Sequence, residues 1–355
     1  MGDKLRDLRV RIDALDERLV KLLSARARLA QRVGALKQGV GVYRPEREAQ
    51  ILRRVAALNP GPLTASSVQQ IYVEIMSACR ALEDRMSVAF LGPAGTYSEE
   101  AARKHFGFAT PLVSCASIDE VFRQLEAGTT GYAIVPVENS TEGAVGRTLD
   151  LLLITRSKIC GEVLLPVHQC LLSKAKGTAA IRKVYSHTQS LAQCQRWLAR
   201  HLPDVERVPV VSNAEAARLA ASDRRAAALA GKAAGKLYGL NALARNVEDE
   251  PNNTTRFLVL AAEDAPASGA DKTSLVLATR NVPGAIHELL TPLAAHRVGM
   301  TKLESRPART GLWEYVFYVD VEGHRSESRV DKALAELEAK ASFFKNLGSY
   351  PAAPR

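Results

Sequence analysis

Aliphatic residues at Leu5, Leu8, Ile12, Leu15, Leu19, Leu22, Leu29, Val33 and Leu36 recur in steps of three and four, and Arg26 stands in one of the slots. That spacing is a heptad seam. It predicts one continuous helix over about residues 3–38 with these side chains on a single face. A guanidinium keeps its proton under burial, so Arg26 on that face needs an anion. Either a bound acidic ligand supplies it, or the side chain snorkels to the rim or pairs with a glutamate of another helix. Lys37 lies eleven residues on, nearly on the same face and about 16 Å along the axis. Arg9 is roughly 25 Å from Arg26, too far to meet it within one chain. A rod of roughly 50 Å exceeds what a small domain wraps, so the seam predicts a dimer in which the partner subunit's Arg9 completes the site.

Pro45 opens a second helix carrying Arg47, Glu48, Ile51, Leu52 and Val55, and Asn59-Pro60-Gly61-Pro62 ends it. Val68, Tyr72, Ile75, Cys79 and Leu82 repeat the helical spacing, with Glu83 one turn beyond Cys79. Residues 1–86 thus read as an all-α three-helix unit. From Val88 the texture changes to short apolar runs, glycine turns and alanine-rich helices, the pattern of alternating strands and helices. Val88–Leu91 leads through Gly92-Pro93-Ala94-Gly95-Thr96-Tyr97-Ser98 into a helix, either a backbone cradle for an anion or a Thr96/Glu99 capping box. No lysine stands at the Walker position, which disfavours nucleoside triphosphates.

The same grammar returns at 133–137 before Glu138-Asn139-Ser140-Thr141, and at 184–187 before Thr188-Gln189-Ser190. Polar residues after strand ends line the ligand cleft of open α/β sheets, although they are also ordinary helix caps. Asn252-Asn253-Thr254-Thr255-Arg256-Phe257 precedes the apolar run 258–260 and predicts a hydroxyl beside a guanidinium at a loop–strand junction. After a linker over 261–271, the order is strand, helix, strand, strand, helix, strand, the ferredoxin-like βαββαβ pattern. Pro283-Gly284 at its first helix leaves room for a close ligand or subunit approach.

With 355 residues and 46% hydrophobic content, the chain supports two or three domains. Its start is charged and amphipathic, so a cytoplasmic protein without membrane spans is expected. Five scattered cysteines argue against a disulfide framework and against a structural zinc. The net charge of +10 is spread among acids along helices, which suits small acidic substrates better than nucleic acid.

Gly92-Pro93 through Thr96-Tyr97-Ser98, Val135-Pro136-Val137-Glu138-Asn139-Ser140, Tyr185-Ser186-His187, Thr255-Arg256-Phe257 and Glu304-Ser305-Arg306-Pro307 stand in order along the chain. On these motifs it resembles, over nearly its whole length, the bifunctional chorismate mutase/prephenate dehydratase family of phenylalanine biosynthesis. The resemblance implies a multidomain fold: an all-α three-helix mutase dimer domain at 1–86, a two-lobed α/β periplasmic-binding-protein-like dehydratase domain at 87–266, and an α+β ferredoxin-like ACT domain at 271–355. It implies chorismate and prephenate as substrates, L-phenylalanine as effector, a homodimer or higher homo-oligomer, and neither cofactor nor metal.

The mutase step is pericyclic and needs a cage that holds a compact conformer and stabilises developing charge. By resemblance Arg9 and Arg26 bind the two carboxylates, Lys37 the ether oxygen and Glu48 the ring hydroxyl, with Arg47 completing the clamp. Arg44, Cys79 and Glu83 depart from the usual aspartate, serine and glutamine. An ionised Glu83 repels the ether oxygen whereas a protonated one donates to it, so mutase activity is expected to fall as pH rises unless Glu83 pairs with an arginine. For dehydration the resemblance makes Thr255 the catalytic hydroxyl and Arg256 a bidentate carboxylate anchor, with Phe257 beside them. Thr96, Ser98, Asn139, Ser140, Thr141, Ser186 and Gln189 line the cleft, while Glu138 and His187 are either functional or structural. L-Phenylalanine is expected near Gly284-Ala285-Ile286 and Glu304-Ser305-Arg306-Pro307, unless the ACT domain only oligomerises.

Two other classes fit parts of the pattern. A transcription regulator also joins a helical N-terminus to a two-lobed effector domain, but its reading helices are short and the first helix here runs unbroken. A solute-binding protein with a coiled-coil dimeriser is opposed by the missing export signal and by Thr255-Arg256-Phe257.

Overall fold

The computed structural model describes residues 2–36, 42–83, 86–308 and 315–353. The first helix α1 (Gly2–Leu36) is followed by α2 (Pro45–Leu58), with proline in its first turn, and α3 (Ala65–Arg80). Thr64 caps α3 by accepting from the Ser67 N–H at 3.1 Å. Both α1 and α2 pack on α3. The seam of α1 faces solvent within one chain, with Leu15 56% and Leu22 66% exposed. Lys37 lies outside the described residues. The third helix stops at Arg80, so Leu82 and Glu83 occupy the following turn rather than the helix face.

The first α/β lobe comprises β1 (Val88–Leu91), α4 (Tyr97–Phe106), β2 (Leu112–Cys115), α5 (Ile118–Glu126), β3 (Tyr132–Asn139), β4 (Gly143–Ala144), α6 (Gly146–Ile154) and β5 (Lys158–Pro166). The second holds β6 (Cys170–Ser173), β7 (Lys183–His187), α7 (Thr188–Gln193), α8 (Gln195–His201), β8 (Glu206–Val210), α9 (Asn213–Ala221), β9 (Ala226–Ala230), α10 (Lys232–Leu237) and β10 (Asn241–Arg245). The chain then returns, and β11 (Thr254–Ala261) pairs antiparallel between β3 and β5. The strand orders are β2-β1-β3-β11-β5 and β10-β6-β9-β7-β8, joined by crossings at 167–169 and 246–253. The two crossings join the sheets at the point where β11 begins.

The last unit runs β12 (Asp271–Ala278), α11 (Ala285–Ala295), β13 (Met300–Pro307), β14 (Tyr315–Glu322), α12 (Ser328–Lys340) and β15 (Phe343–Pro351), in sheet order β13-β14-β12-β15. This is the ferredoxin-like arrangement. One sheet face buries Leu275, Leu277 and Val319 against Leu289, Leu293 and Leu337 of its helices. The other face packs Val276, Tyr318, Leu347 and Tyr350 directly on Val135, Leu149, Leu258 and Leu260 of the first lobe. Gly348, at φ +140°, makes this approach possible, because a Cβ there would collide with the Ile159 backbone.

Among the described residues no helix is long and apolar enough to cross a membrane, and no cluster of metal-ligating side chains occurs. All five cysteines are free and buried.

Candidate functional site

Arg26 is half-buried and its Nη1 donates to Cys79 Sγ at 3.0 Å, so α1 and α3 bring together two of the expected mutase residues. Its partner is a sulfur, not an internal acid, and its charge also reaches Glu48 of α2. Burial raises the Glu48 pKa, while Arg80 and then Arg26 oppose that shift. Glu83 reaches back to α1, where a Cβ on Gly34 would lie 2.8 Å from its Oε2. Arg47 and Arg9 are exposed. Of the departures from the family pattern, Arg44 turns to Glu46, with Nε 2.7 Å from Oε1. Beside the Arg26–Cys79 contact runs a groove of about 430 Å³, lined mostly by apolar residues that include Leu23, Ala27, Ile75 and Leu82.

At the lobe joint, Asn139 ends β3 opposite Thr255 of β11. Asn139 Oδ1 accepts from Thr141 N–H at 3.1 Å, Thr141 Oγ1 at 2.6 Å and Glu142 N–H at 3.2 Å. Two backbone donors on one oxygen fix the amide orientation, so Nδ2 faces the other way. It donates to Thr255 Oγ1 at 2.9 Å and to Asn253 Oδ1 at 2.7 Å. The network crosses to the second lobe through Gln193, which accepts from Asn253 Nδ2 at 2.9 Å and donates to Thr141 Oγ1 at 3.0 Å. Thr255 Oγ1 therefore accepts from an oriented amide, leaving its own proton for a substrate group. Sequence reasoning missed Gln193 and Asn253; the doubled Asn252-Asn253 was the only signal for the second, and Gln193 carried none.

The other cleft candidates divide. Thr96 caps α4, accepting from Glu99 N–H at 3.4 Å, while Glu99 Oε2 accepts from the N–H of Gly95, one residue before the cap, at 2.7 Å, a variant of the capping box. Ser98 is buried in the first turn of that helix. Ser140 is exposed and ties the loop to β11, its Oγ accepting from Thr254 N–H at 2.9 Å. Gln189 is half-buried, and its N–H donates to His187 Nδ1 at 3.3 Å in a cap of α7. Ser186 is fully buried, its Oγ 2.9 Å from the Leu229 carbonyl and 3.0 Å from Asn213 Oδ1, so its hydroxyl is spent inside the second lobe.

Arg256 requires the largest correction. The strand begins at Thr254, earlier than the apolar run indicates, so Thr255 and Arg256 are consecutive strand residues pointing to opposite faces. Arg256 faces the ACT sheet, donating from Nε to Glu162 at 2.7 Å, from Nη1 to Asp320 at 2.5 Å and from Nη2 to Tyr350 OH at 2.9 Å. Burial opposes its charge, yet Tyr350, Asp320 and Glu162 together raise its pKa. Its fork is spent on the domain joint rather than offered to a substrate carboxylate. Phe257 is likewise corrected to a core residue, 1% exposed among Val88, Phe90 and Phe106.

In the ACT domain, Gly284 takes a left-handed conformation before α11, with Ala285 buried and Ile286 exposed. Strand β13 is an edge on which burial alternates, so Glu304 and Arg306 turn in while Ser305 and Pro307 face out. Arg306 donates to Asp150 of α6 at 3.1 Å, and Lys302 donates to Glu138 at 2.7 Å. Arg306 and Glu138 therefore tie domains within the chain.

Family models match in the same order: chorismate mutase type II over residues 8–84, prephenate dehydratase over 88–265, and the ACT domain over 273–339. The chain is 51% identical over 345 residues to the bifunctional chorismate mutase/prephenate dehydratase of Neisseria gonorrhoeae, covering 96% of this chain and 95% of that one. It is 48% identical to the Pseudomonas aeruginosa protein of the same name over 359 residues, covering 99% and 98%. Among solved structures, a prephenate dehydratase from Arthrobacter aurescens in complex with L-Phe superposes with a TM-score of 0.69 at 33% identity, covering 75% of this chain and 90% of that one. The helical unit with its arginine seam, the two-lobed unit with its oriented threonine and the ferredoxin-like unit thus coincide with three matched domains, and the chain belongs to the bifunctional chorismate mutase/prephenate dehydratase family, with both activities and an ACT domain.

Proposed function

We propose that each activity has its own site in this chain, the mutase within 1–86 and the dehydratase within 87–266, with regulation through 271–355. Chorismate is caged where Arg26, Glu48 and Cys79 converge, with Arg47, Lys37 and the partner subunit's Arg9 supplying the remaining cations across a homodimer. Such a cage holds the reactive conformer and stabilises charge on the ether oxygen. Glu83 assists when protonated, so mutase activity falls as pH rises and Glu83→Gln flattens the profile; an unchanged profile in that variant contradicts the role.

Prephenate is bound at the lobe joint. Thr255 donates its hydroxyl proton in a hydrogen bond to the departing ring hydroxyl while carbon dioxide leaves and the ring becomes aromatic. Threonine is too weak an acid to give its proton up outright, so its worth is orientation. With Arg256 committed elsewhere, Ser98, Ser140 and Gln189 supply donors for the substrate, beside Thr96, Asn139 and Thr141, whose own protons go to the Leu91 carbonyl, to Thr255 and Asn253, and to Asn139. Neutral donors suit the carboxylate that must depart, because a tight ion pair would stabilise the ground state. The observation that carries this reading is the amide of Asn139, turned by two backbone N–H groups so that it donates to Thr255.

The ACT domain carries feedback inhibition by L-phenylalanine, bound between Gly284-Ala285-Ile286 and the outward Ser305 and Pro307 of a second copy at the β13 edge. The protein acts in the cytoplasm. Incubation with chorismate is expected to give phenylpyruvate, and added L-phenylalanine to slow the dehydratase step. Absence of phenylpyruvate contradicts the enzymatic reading, and indifference to phenylalanine contradicts the regulatory one.

A further inference from the structure

Arg80, on the last turn of α3, is 5% exposed. Its Nη1 donates to Glu48 Oε1, and its Nη2 donates to the Phe106 carbonyl at 2.6 Å. Phe106 is the last residue of α4, where free carbonyls make a favourable seat for a cation. The guanidinium also lies 5.6 Å from the centroid of the Tyr43 ring. Its Nε has no partner among the described residues, so those contacts are what hold it. The joint is tight at this point. Gly107, at φ +73°, ends α4 so close to α3 that a Cβ there would lie 2.5 Å from Ser77 Cβ.

We propose that Arg80 is a positioning residue of the mutase: seated on the end of a dehydratase helix, it holds the Glu48 carboxylate in place for the ring hydroxyl of chorismate, so the dehydratase domain completes the mutase site. This rests on the reading of Glu48 given above. One carboxylate oxygen is gripped by Arg80, which leaves the second to accept the substrate hydroxyl. The groups facing Glu48 are Arg80 from α3, Arg26 from α1, Glu46 on its own helix, and Tyr43 and Tyr132 at the domain joint. Arg26 is assigned to a substrate carboxylate, so Arg80 is the cation committed to keeping Glu48 ionised and fixed.

The test uses the full chain with Arg80→Met, Arg80→Lys and Glu48→Gln. Mutase kcat and KM on chorismate are measured across pH, and prephenate dehydration by the same preparations reports on folding. Arg80→Met is expected to lower mutase kcat by about tenfold or more and to move the acid limb of its profile to higher pH, with dehydration little changed. Arg80→Lys keeps the charge but not both contacts, so kcat falls while the acid limb stays. Should Arg80→Met fold poorly, the Lys variant still decides. Wild-type mutase kcat and pH profile in the Arg80 variants, beside an impaired Glu48→Gln, overturn the proposal alone. A Glu48→Gln enzyme with normal mutase activity overturns the reading of Glu48 and the proposal with it.

Discussion

At the residue scale, the junction of mutase and dehydratase is built from titratable groups that are kept neutral or paired. His105 packs between Tyr43 and Phe106, with Tyr43 OH 2.5 Å from its Nε2. Burial raises the Tyr43 pKa, so the phenol keeps its proton and donates, and the imidazole accepts. Burial first, and then Arg80, lower His105 from 6.5 to about 3. Between those values the unfolded chain binds a proton that the folded one refuses, so stability is lost as pH falls from about 6.5 toward 3, at up to about 1.4 kcal/mol per pH unit. His105→Gln keeps an acceptor for Tyr43 and cannot titrate. Urea denaturation at pH 7 and pH 5 is expected to show a smaller acid loss in this variant than in the wild type, and equal losses would contradict the assignment.

At the element scale, the question is which face of a strand or helix a residue occupies. The heptad seam and the βαββαβ order were legible because their periodicities repeat over many residues. The start of β11 was not, since Thr254 and Thr255 look like loop hydroxyls until β3 and β5 are seen to pair with them. A start a few residues earlier put Arg256 on the opposite face from Thr255. Arg80 was missed for a related reason: a single arginine at a helix end reads as solvated unless the element that buries it is known. Arg256→Met takes from Glu162 and Asp320 the cation they share, leaving Lys272 on Glu162, a loss of about 3 kcal/mol or more by the usual cost of breaking a buried pair. Chemical denaturation checks this, and a higher KM for prephenate at unchanged stability would return Arg256 to the substrate.

At the scale of the whole molecule, three units share one chain, but their dependence on other copies differs. The α1 seam exposes Leu5, Leu8, Ile12, Leu15 and Leu19 to about half of their surface or more, an apolar stripe that a soluble monomer rarely leaves open. Leu15→Glu is therefore expected to spare the fold of the two lobes, lower the mass seen in sedimentation, and cut mutase activity while prephenate dehydration continues. Unchanged mass and unchanged mutase activity would contradict a dimer built on this seam. The oriented hydroxyl at the lobe joint is proposed to perform dehydration separately from the mutase site around Arg26. The most direct measurement is product analysis of chorismate turnover by Thr255→Ala: prephenate accumulating at the wild-type rate with phenylpyruvate abolished is the predicted result, and continued phenylpyruvate formation would contradict it.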